Sequence, residues 1–131
     1  MHRITQEAVP HVPLGTAVIT TASVQAHDAS GTSLDNTATK VRIVADTKAR
    51  SKSLLQKGVR ANVLALGPFW TVLQASGGQP PEKVEKFGAQ NRFGRPGQPL
   101  EITPVSVLLA SQEGSFINGE VYGATGSEGA A

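Results

Sequence analysis

Two apolar runs on either side of a long helical stretch constrain the fold of this chain most. "TAVITTAS", from Thr16 to Ser23, is β-branched almost throughout, and "VRANVLAL", from Val59 to Leu66, is a second apolar run. Neither run alternates between apolar and polar residues, which is typical of strands buried on both faces of a parallel sheet. Parallel strands need a crossover connection, and residues 36–57 predict a helix that ends at Gly58.

The rest of the chain continues this alternation. Residues 1–8 predict the last turns of a helix, residues 100–111 predict another helix, and "SFINGEVYGATG" predicts a short final strand. The Gly- and Pro-rich residues 77–97 and the tail 127–131 predict flexible segments. Because strands and helices alternate, and no repeat or separable linker is present, residues 1–131 predict one α/β domain with a parallel sheet.

The long predicted helix carries an apolar stripe, a set of lysines and a charge pair. Its apolar stripe, expected to be buried, consists of Val41, Val44, Ala45 and Leu55. The lysines expected in solvent are Lys48, Lys52 and Lys57. Asp46 and Arg50 are four residues apart with the acid first, which predicts an exposed ion pair.

Composition excludes several classes of site. The net charge of +2 is too small to indicate nucleic-acid binding, and the basic residues from Lys48 to Arg60 have no aromatic residues among them. The absence of Cys excludes disulfides and thiolate sites. His2, His11 and His27 lack ligand spacing, so no metal site is expected. With no signal-peptide pattern and no run of about 20 apolar residues, we expect a cytoplasmic protein without membrane contact.

Polar residues follow both predicted strands. Ser23 ends the first strand, and "SLDNTATK" places Asn36 and Lys40 one helical turn apart at the start of the long helix. Taken singly, these residues suggest a loop hydroxyl, a helix cap and a solvated lysine. Gly67 and Pro68 open the turn "GPFWT" after the second strand.

Together these residues resemble the short-chain dehydrogenase/reductase family. The family has a Ser at a strand end and, 13 positions later, the Tyr of Tyr-x-x-x-Lys; Ser23, Asn36 and Lys40 stand at those positions, with Asn36 in place of Tyr. "KGVRANVLALGPFWT" looks like the family's Lys-Gly-Ile-Arg-x-Asn-x-(apolar)-x-Pro-Gly run, with Leu66 in place of Pro. The C-terminal "FGRPGQPLEITPVSVLLASQEGSFINGEVYGATG" is also similar, most closely to glucose/ribitol-dehydrogenase-like members.

The resemblance implies the C-terminal half of a doubly wound Rossmann-like sheet, with about three strands and their crossover helices. The 131 residues contain neither the family's G-x-x-x-G-x-G turn nor its Asn-Ala-Gly motif. The resemblance therefore implies that the N-terminal dinucleotide-binding βαβ half is missing. It also implies that residues 73–97 correspond to the family's substrate lid.

The resemblance also implies roles for individual residues. In the family, the Tyr exchanges a proton with the substrate oxygen while hydride moves to or from NAD or NADP. The Lys lowers the pKa of the Tyr and holds the cofactor ribose, and the Ser orients the substrate carbonyl. The catalytic set implied is Ser23, Asn36 and Lys40, and the NAD(P)-binding set implied is Lys40, Gly67, Pro68, Phe69 and Thr71. Asn36 does not titrate at neutral pH, so it cannot replace the Tyr.

Three functions remain open. The first is a truncated, degenerate oxidoreductase that is inactive as an isolated chain. The second is weak oxidoreductase activity when another chain supplies the missing cofactor-binding half. The third is a non-enzymatic homo-oligomer that self-associates through the exposed edge of the strand from Thr16 to Ser23. Asp46 and Arg50 lie where the family has apolar residues at its helix-packed dimer interface, so we expect that dimer to be lost.

Overall fold

The computed structural model describes residues 2–27 and 34–127. Its helices and strands are α1 (His2–Ala8), β1 (Ala17–Ser23), α2 (Leu34–Leu55), β2 (Arg60–Leu66), α3 (Val72–Ser76), α4 (Pro81–Glu85), α5 (Thr103–Ala110) and β3 (Val121–Ala124). The predicted helices and strands occur in the predicted order, and two short helices that were not predicted, α3 and α4, lie between β2 and α5; α4 falls in residues 77–97, which were predicted to be flexible. Single 3-10 turns are formed by Val9–His11, Val24–Ala26, Pro99–Ile102 and Gln112–Gly114. Residues 28–33, which include Ser33, and residues 128–131 of the predicted flexible tail lie outside the described residues.

The strands form one parallel sheet in the order β1-β2-β3, which confirms the predicted Rossmann-like α/β fold. Ser23 pairs in register with Leu66, and Leu66 with Ala124. The carboxyl ends of all three strands therefore lie side by side. In open α/β sheets this is the edge at which ligands bind.

Helices cover the two faces of the sheet. Thr20 of β1 contacts Thr47 of α2 through a 2.8 Å hydroxyl–hydroxyl hydrogen bond. Arg60 of β2 contacts Leu109 of α5 through a 3.1 Å bond. Because side chains alternate between faces along a strand and Arg60 is in register with Ala17, α2 and α5 lie on opposite faces.

The prediction that both strands are buried on both faces is right for β2 and wrong for β1. Every residue of β2 from Arg60 to Ala65 is buried. In β1, Thr21 is exposed and Ala17 to Ile19 are half-buried. The reason is position: β2 has a strand on each side, whereas β1 has a neighbouring strand on one side in the described part of the chain.

The predicted apolar stripe of the long helix is also wrong. Val41 and Leu55 are 45% and 55% exposed, whereas Thr47, Ser51 and Leu54 are the buried residues of α2. Thr47 Oγ1 donates to the carbonyl of Ile43, and Ser51 Oγ to that of Lys48, each at 2.8 Å. These hydroxyls are satisfied within the helix, so two small side chains can pack against the sheet. The three lysines predicted in solvent are exposed.

Buried polar groups fix the segment that leads into β3. Asn62 Nδ2 donates to Ile117 O at 2.9 Å, and its Oδ1 accepts from Glu120 N at 3.0 Å. Asn118 Oδ1 accepts from Ala61 N, and its Nδ2 donates to Ser51 O, both at 2.9 Å. These bonds tie β3 to β2 and α2, and so set the position of the third strand end.

Candidate functional site

The predicted catalytic residues Ser23 and Asn36 are connected through Gln25. Ser23 ends β1, and its Oγ accepts from Gln25 N at 3.3 Å. Asn36 lies in the first turn of α2, and its Nδ2 donates to Gln25 Oε1 at 2.6 Å. The family resemblance singled out Ser23 and Asn36, but it did not indicate the connecting role of Gln25.

Lys40 lies one helical turn after Asn36 on the same side of α2 and is half-buried. It forms no ion pair with any carboxylate among the residues that the structure describes. Lys40 is therefore the one titratable residue of this predicted set. Ser23 and the amides of Gln25 and Asn36 can orient a ligand oxygen by hydrogen bonding, but at neutral pH they do not act as general acids.

The turn after β2 is held by backbone contacts to two other segments. Gly67 N donates to Ala124 O at 2.9 Å. A Cβ at Gly67 would lie 2.6 Å from Thr125 Cα, so a larger residue would push this turn away from β3. Pro68 O accepts from Gly97 N, and Trp70 N donates to Gly97 O, both at 2.8 Å.

Within the described part of the chain, Phe69 and Thr71 keep hydrogen-bonding groups that this turn does not use. Phe69 and Gly97 form a parallel bridge in which the backbone bonds to Gly97 come from Pro68 and Trp70. The N–H and C=O of Phe69 itself therefore point away from Gly97. Thr71 occupies the N-cap of α3, is exposed, and makes no side-chain bond to that helix. The Phe69 main chain and the Thr71 hydroxyl can therefore serve a ligand at this turn.

A cavity of about 280 Å³ opens between the ends of β2 and β3. The residues that line it are Pro68, Phe69, Asn91, Phe93, Arg95, Gly97, Glu101, Ala124, Thr125 and Gly126. Because β2 separates β1 from β3, this cavity lies on the opposite side of the Gly67 turn from Ser23. Pro68 and Phe69 therefore line this cavity, whereas none of the predicted catalytic residues does.

An ion pair closes one wall of this cavity. The Arg95 guanidinium donates two hydrogen bonds of 2.7 Å to the carboxylate of Glu101. Hydrogen bonds from Arg95 and from Gln98 N lower the pKa of Glu101 to about 2. Sequence reasoning missed this pair, although Gln98 and Glu101 have the spacing of a capping box, which the structure forms.

A second polar cluster joins α1 to α2. Arg50 Nε donates to Asp46 Oδ2 at 2.8 Å, which confirms the predicted pair, and His2 Nδ1 lies 2.6 Å from Asp46 Oδ1. The predicted exposure is wrong: the Arg50 and Asp46 side chains are 14% and 16% exposed because α1 covers them. Burial acts to raise the pKa of Asp46, but hydrogen bonds from Arg50 and His2 outweigh it, so that pKa lies below its ordinary value.

Residues 2–27 and 34–127 form neither a membrane-spanning helix nor a cluster of metal ligands. No helix there has the length and apolarity that crossing a membrane requires. Nor do three His, Asp or Glu side chains converge there in a group that could hold a metal ion.

Comparison with known proteins gives consistent results. Residues 1–126 match the model of a protein family described as enoyl-(acyl carrier protein) reductase. The uncharacterized oxidoreductase YghA of Escherichia coli K12 is 47% identical over 125 residues, which cover 95% of this chain and 42% of that protein. NADPH-dependent aldehyde reductase 1, chloroplastic, of Arabidopsis thaliana is 39% identical over 120 residues, covering 90% and 41%.

A solved structure gives the same relationship in three dimensions. The short-chain dehydrogenase/reductase of Brucella melitensis, a glucose/ribitol dehydrogenase, superposes with a TM-score of 0.83 at 27% identity. The superposition covers 95% of this chain and 49% of that one. The chain thus spans less than half of the length of these relatives.

Proposed function

The chain belongs to the short-chain dehydrogenase/reductase family, and we propose that it derives from an NAD(P)-dependent oxidoreductase that interconverts alcohols and carbonyl compounds. We propose in addition that the isolated chain is inactive because Asn36 occupies the proton-transfer position. One observation carries this second step: the Asn36 amide donates to Gln25 Oε1 at 2.6 Å, directly beside the loop that begins at Ser23. A non-titrating amide thus lies where the reaction requires a group that exchanges a proton.

The residues present are compatible with a nicotinamide cofactor, which when bound supplies or accepts the hydride. Gly97 engages Pro68 O and Trp70 N, which leaves the Phe69 main chain for the carboxamide and the Thr71 hydroxyl for a phosphate oxygen. In this proposal Lys40 holds the ribose. Ser23 Oγ, which accepts from Gln25 N, retains its own proton to donate to a substrate oxygen.

The expected effect of Asn36 is large. Its Nδ2 can donate a hydrogen bond to a substrate oxygen, but it cannot release the proton that an alkoxide product needs. Loss of a positioned proton donor typically lowers the rate by about 10²–10⁴. In this proposal the chain therefore orients a carbonyl or alcohol substrate without converting it.

A chimera tests this proposal. Residues 1–126 replace the matching segment of the Arabidopsis relative, whose name gives its activity as NADPH-dependent aldehyde reduction. NADPH oxidation with an aldehyde is measured for the chimera with Asn36, with Asn36→Tyr and with Asn36→Phe, which supplies the ring without the hydroxyl. We expect turnover with Tyr to be at least about 10² times that of the other two. Equal turnover with Asn and Tyr would overturn the role given to Asn36 and favour the complemented-enzyme alternative.

The edge of β1 supports a second candidate, self-association. Thr16 O accepts from Arg60 N at 3.0 Å, so Ala17, Ile19 and Thr21 direct their main-chain groups away from β2. In the described part of the chain these groups pair with no strand, and such an edge is a template for pairing.

Sedimentation of the chain over a range of concentrations tests this candidate. Thr21→Lys adds a charge at the edge and should lower the mass to that of a monomer, whereas Ser53→Lys, on the exposed side of α2, should not. Equal masses for both variants and the parent at all concentrations would exclude association through β1.

A further inference from the structure

A groove between α1 and α2 lies outside the proposed oxidoreductase site. Its volume is about 330 Å³, and we call it the α1–α2 groove. The residues that line it are His2, Arg3, Thr39, Arg42, Ile43 and Asp46. Neither Arg3 nor Arg42 was singled out by the sequence motifs.

The charges in the α1–α2 groove are unbalanced. Both carboxylate oxygens of Asp46 already have partners, Oδ1 with His2 and Oδ2 with Arg50. Arg3 and Arg42 form no ion pair with any carboxylate in residues 2–27 and 34–127. Two arginines, one from each helix, therefore line the same concavity, and neither is paired with Asp46, the one carboxylate among the lining residues. A concave surface with an excess of positive charge concentrates the field.

We propose that the α1–α2 groove binds a small oxyanion of the phosphate class. Guanidinium groups that come from two helices approach a ligand from two directions. A tetrahedral phosphate presents oxygen pairs in several directions and carries up to two negative charges, so it can accept from both forks. A carboxylate has one planar edge and one charge, and it would satisfy a single arginine.

Asp46 does not prevent this binding. Its carboxylate is repulsive toward an anion, but Arg50 and His2 hold its oxygens, and Arg50 adds a compensating positive charge at 2.8 Å. The Thr39 hydroxyl donates to Asp35 O at 2.9 Å, so its proton is already used and it supplies no donor to the oxyanion. The arginines remain the groups that bind the ligand.

Calorimetric titration of the full chain with inorganic phosphate, at ionic strength held constant with chloride, tests the proposal. We compare the parent chain with Arg3→Gln, Arg42→Gln and Arg92→Gln; Arg92 is equally exposed, lies outside the groove, and gives a matched charge loss. The expected result is one saturable site, about tenfold weaker in each groove variant and unchanged in the control. Ethyl phosphate as a second titrant separates the sources: binding of both probes indicates a phosphate monoester, and binding of phosphate alone indicates the free ion.

Two results would overturn it. The first is an absence of saturable heat in the parent chain. The second is equal binding by all four proteins, which would mean an adventitious ion only. Because Arg3 and Arg42 are exposed, the variants should keep the parental unfolding temperature; Arg42→Lys provides a further check, since it keeps the charge but loses the fork and should weaken binding less than Arg42→Gln.

Discussion

Replacement of Arg60 by Met should destabilise the fold through one carbonyl group in particular. Arg60 is 7% exposed and donates from Nη1 to Leu109 O at 3.1 Å and to Ile117 O at 3.3 Å, and from Nη2 to Ser111 O at 3.1 Å. Methionine fills a similar volume without donors. The perturbation therefore removes hydrogen bonds with little change in packing.

The three carbonyl oxygens that accept from Arg60 are not equally affected by the loss of these hydrogen bonds. Ile117 O keeps the bond from Asn62 Nδ2 at 2.9 Å, and Ser111 O keeps the bond from Gly114 N at 3.3 Å. Leu109 O, at the buried end of α5, loses the donor that Arg60 supplied. One buried unsatisfied carbonyl costs about 1–3 kcal/mol, and each of the two lost bonds whose acceptor keeps another partner costs about 0.5 kcal/mol. We expect a loss of about 2–4 kcal/mol in the free energy of unfolding.

Urea and thermal unfolding measure this loss directly. For a chain of this size, each kcal/mol lost from the free energy of unfolding lowers the melting temperature by about 4 °C, so the melting temperature should fall by about 8–16 °C. Arg92→Met removes the same charge at an exposed position and should stay within about 0.5 kcal/mol of the parent. A change of less than about 0.5 kcal/mol for Arg60→Met would refute the assignment of Arg60 as the donor that satisfies the end of α5.

Two further predictions concern the cavity between β2 and β3. Since Arg95 lowers the pKa of Glu101 to about 2, from 4.5, the pair stabilises the fold above pH 4.5 and that stabilisation is lost as pH falls toward 2; Glu101→Gln should flatten the melting temperature over this interval. Gly126→Ala should lower the free energy of unfolding by about 1–3 kcal/mol, because φ is +63° there and the new Cβ would clash with the Asn91 side chain. Gly94→Ala, at φ +69° in open space, should cost less in the same denaturant titration.

The order of elements and the parallel sheet could be predicted because their signals are local. The first two strands lie in runs that are mostly apolar or β-branched, and the helix between them is followed by Gly58, whose φ of +65° suits glycine and whose N–H bonds to Leu55 O at 2.9 Å. These features depend on neighbours in the sequence. Tertiary contacts did not overrule them.

The face that α2 buries could not be predicted in this way. Hydropathy gives Thr47 and Ser51 no apolar weight, yet both are buried because their hydroxyls bond to carbonyls of their own helix. Thr47 also bonds to Thr20, which is 27 residues away in the sequence. A pattern along one helix does not report a partner on a strand.

The candidate site shows the same difference between features with a local signal in the sequence and features that depend on distant residues. Ser23 and Asn36 could be named from the sequence because the family motif places its residues at the end of one strand and at the start of the following helix, and both elements are recognisable locally. The cavity between β2 and β3 was missed because Pro68, Asn91 and Glu101 reach it from segments far apart in the sequence. No local spacing encodes that meeting.

The bonds that hold the strand ends in place do not involve Asn36. Arg60, Asn62 and Gly67 fix β3 beside β2, whereas Asn36 is exposed in the first turn of α2 and its side chain bonds to Gln25. A change at this position alters no buried contact, so its effect on the free energy of unfolding should be small. The residues that hold the strand ends in place are thus distinct from the residue at the proposed proton-transfer position. The chain can therefore keep the arrangement of its strand ends with a non-titrating residue at position 36, because folding does not depend on the chemistry of that exposed side chain.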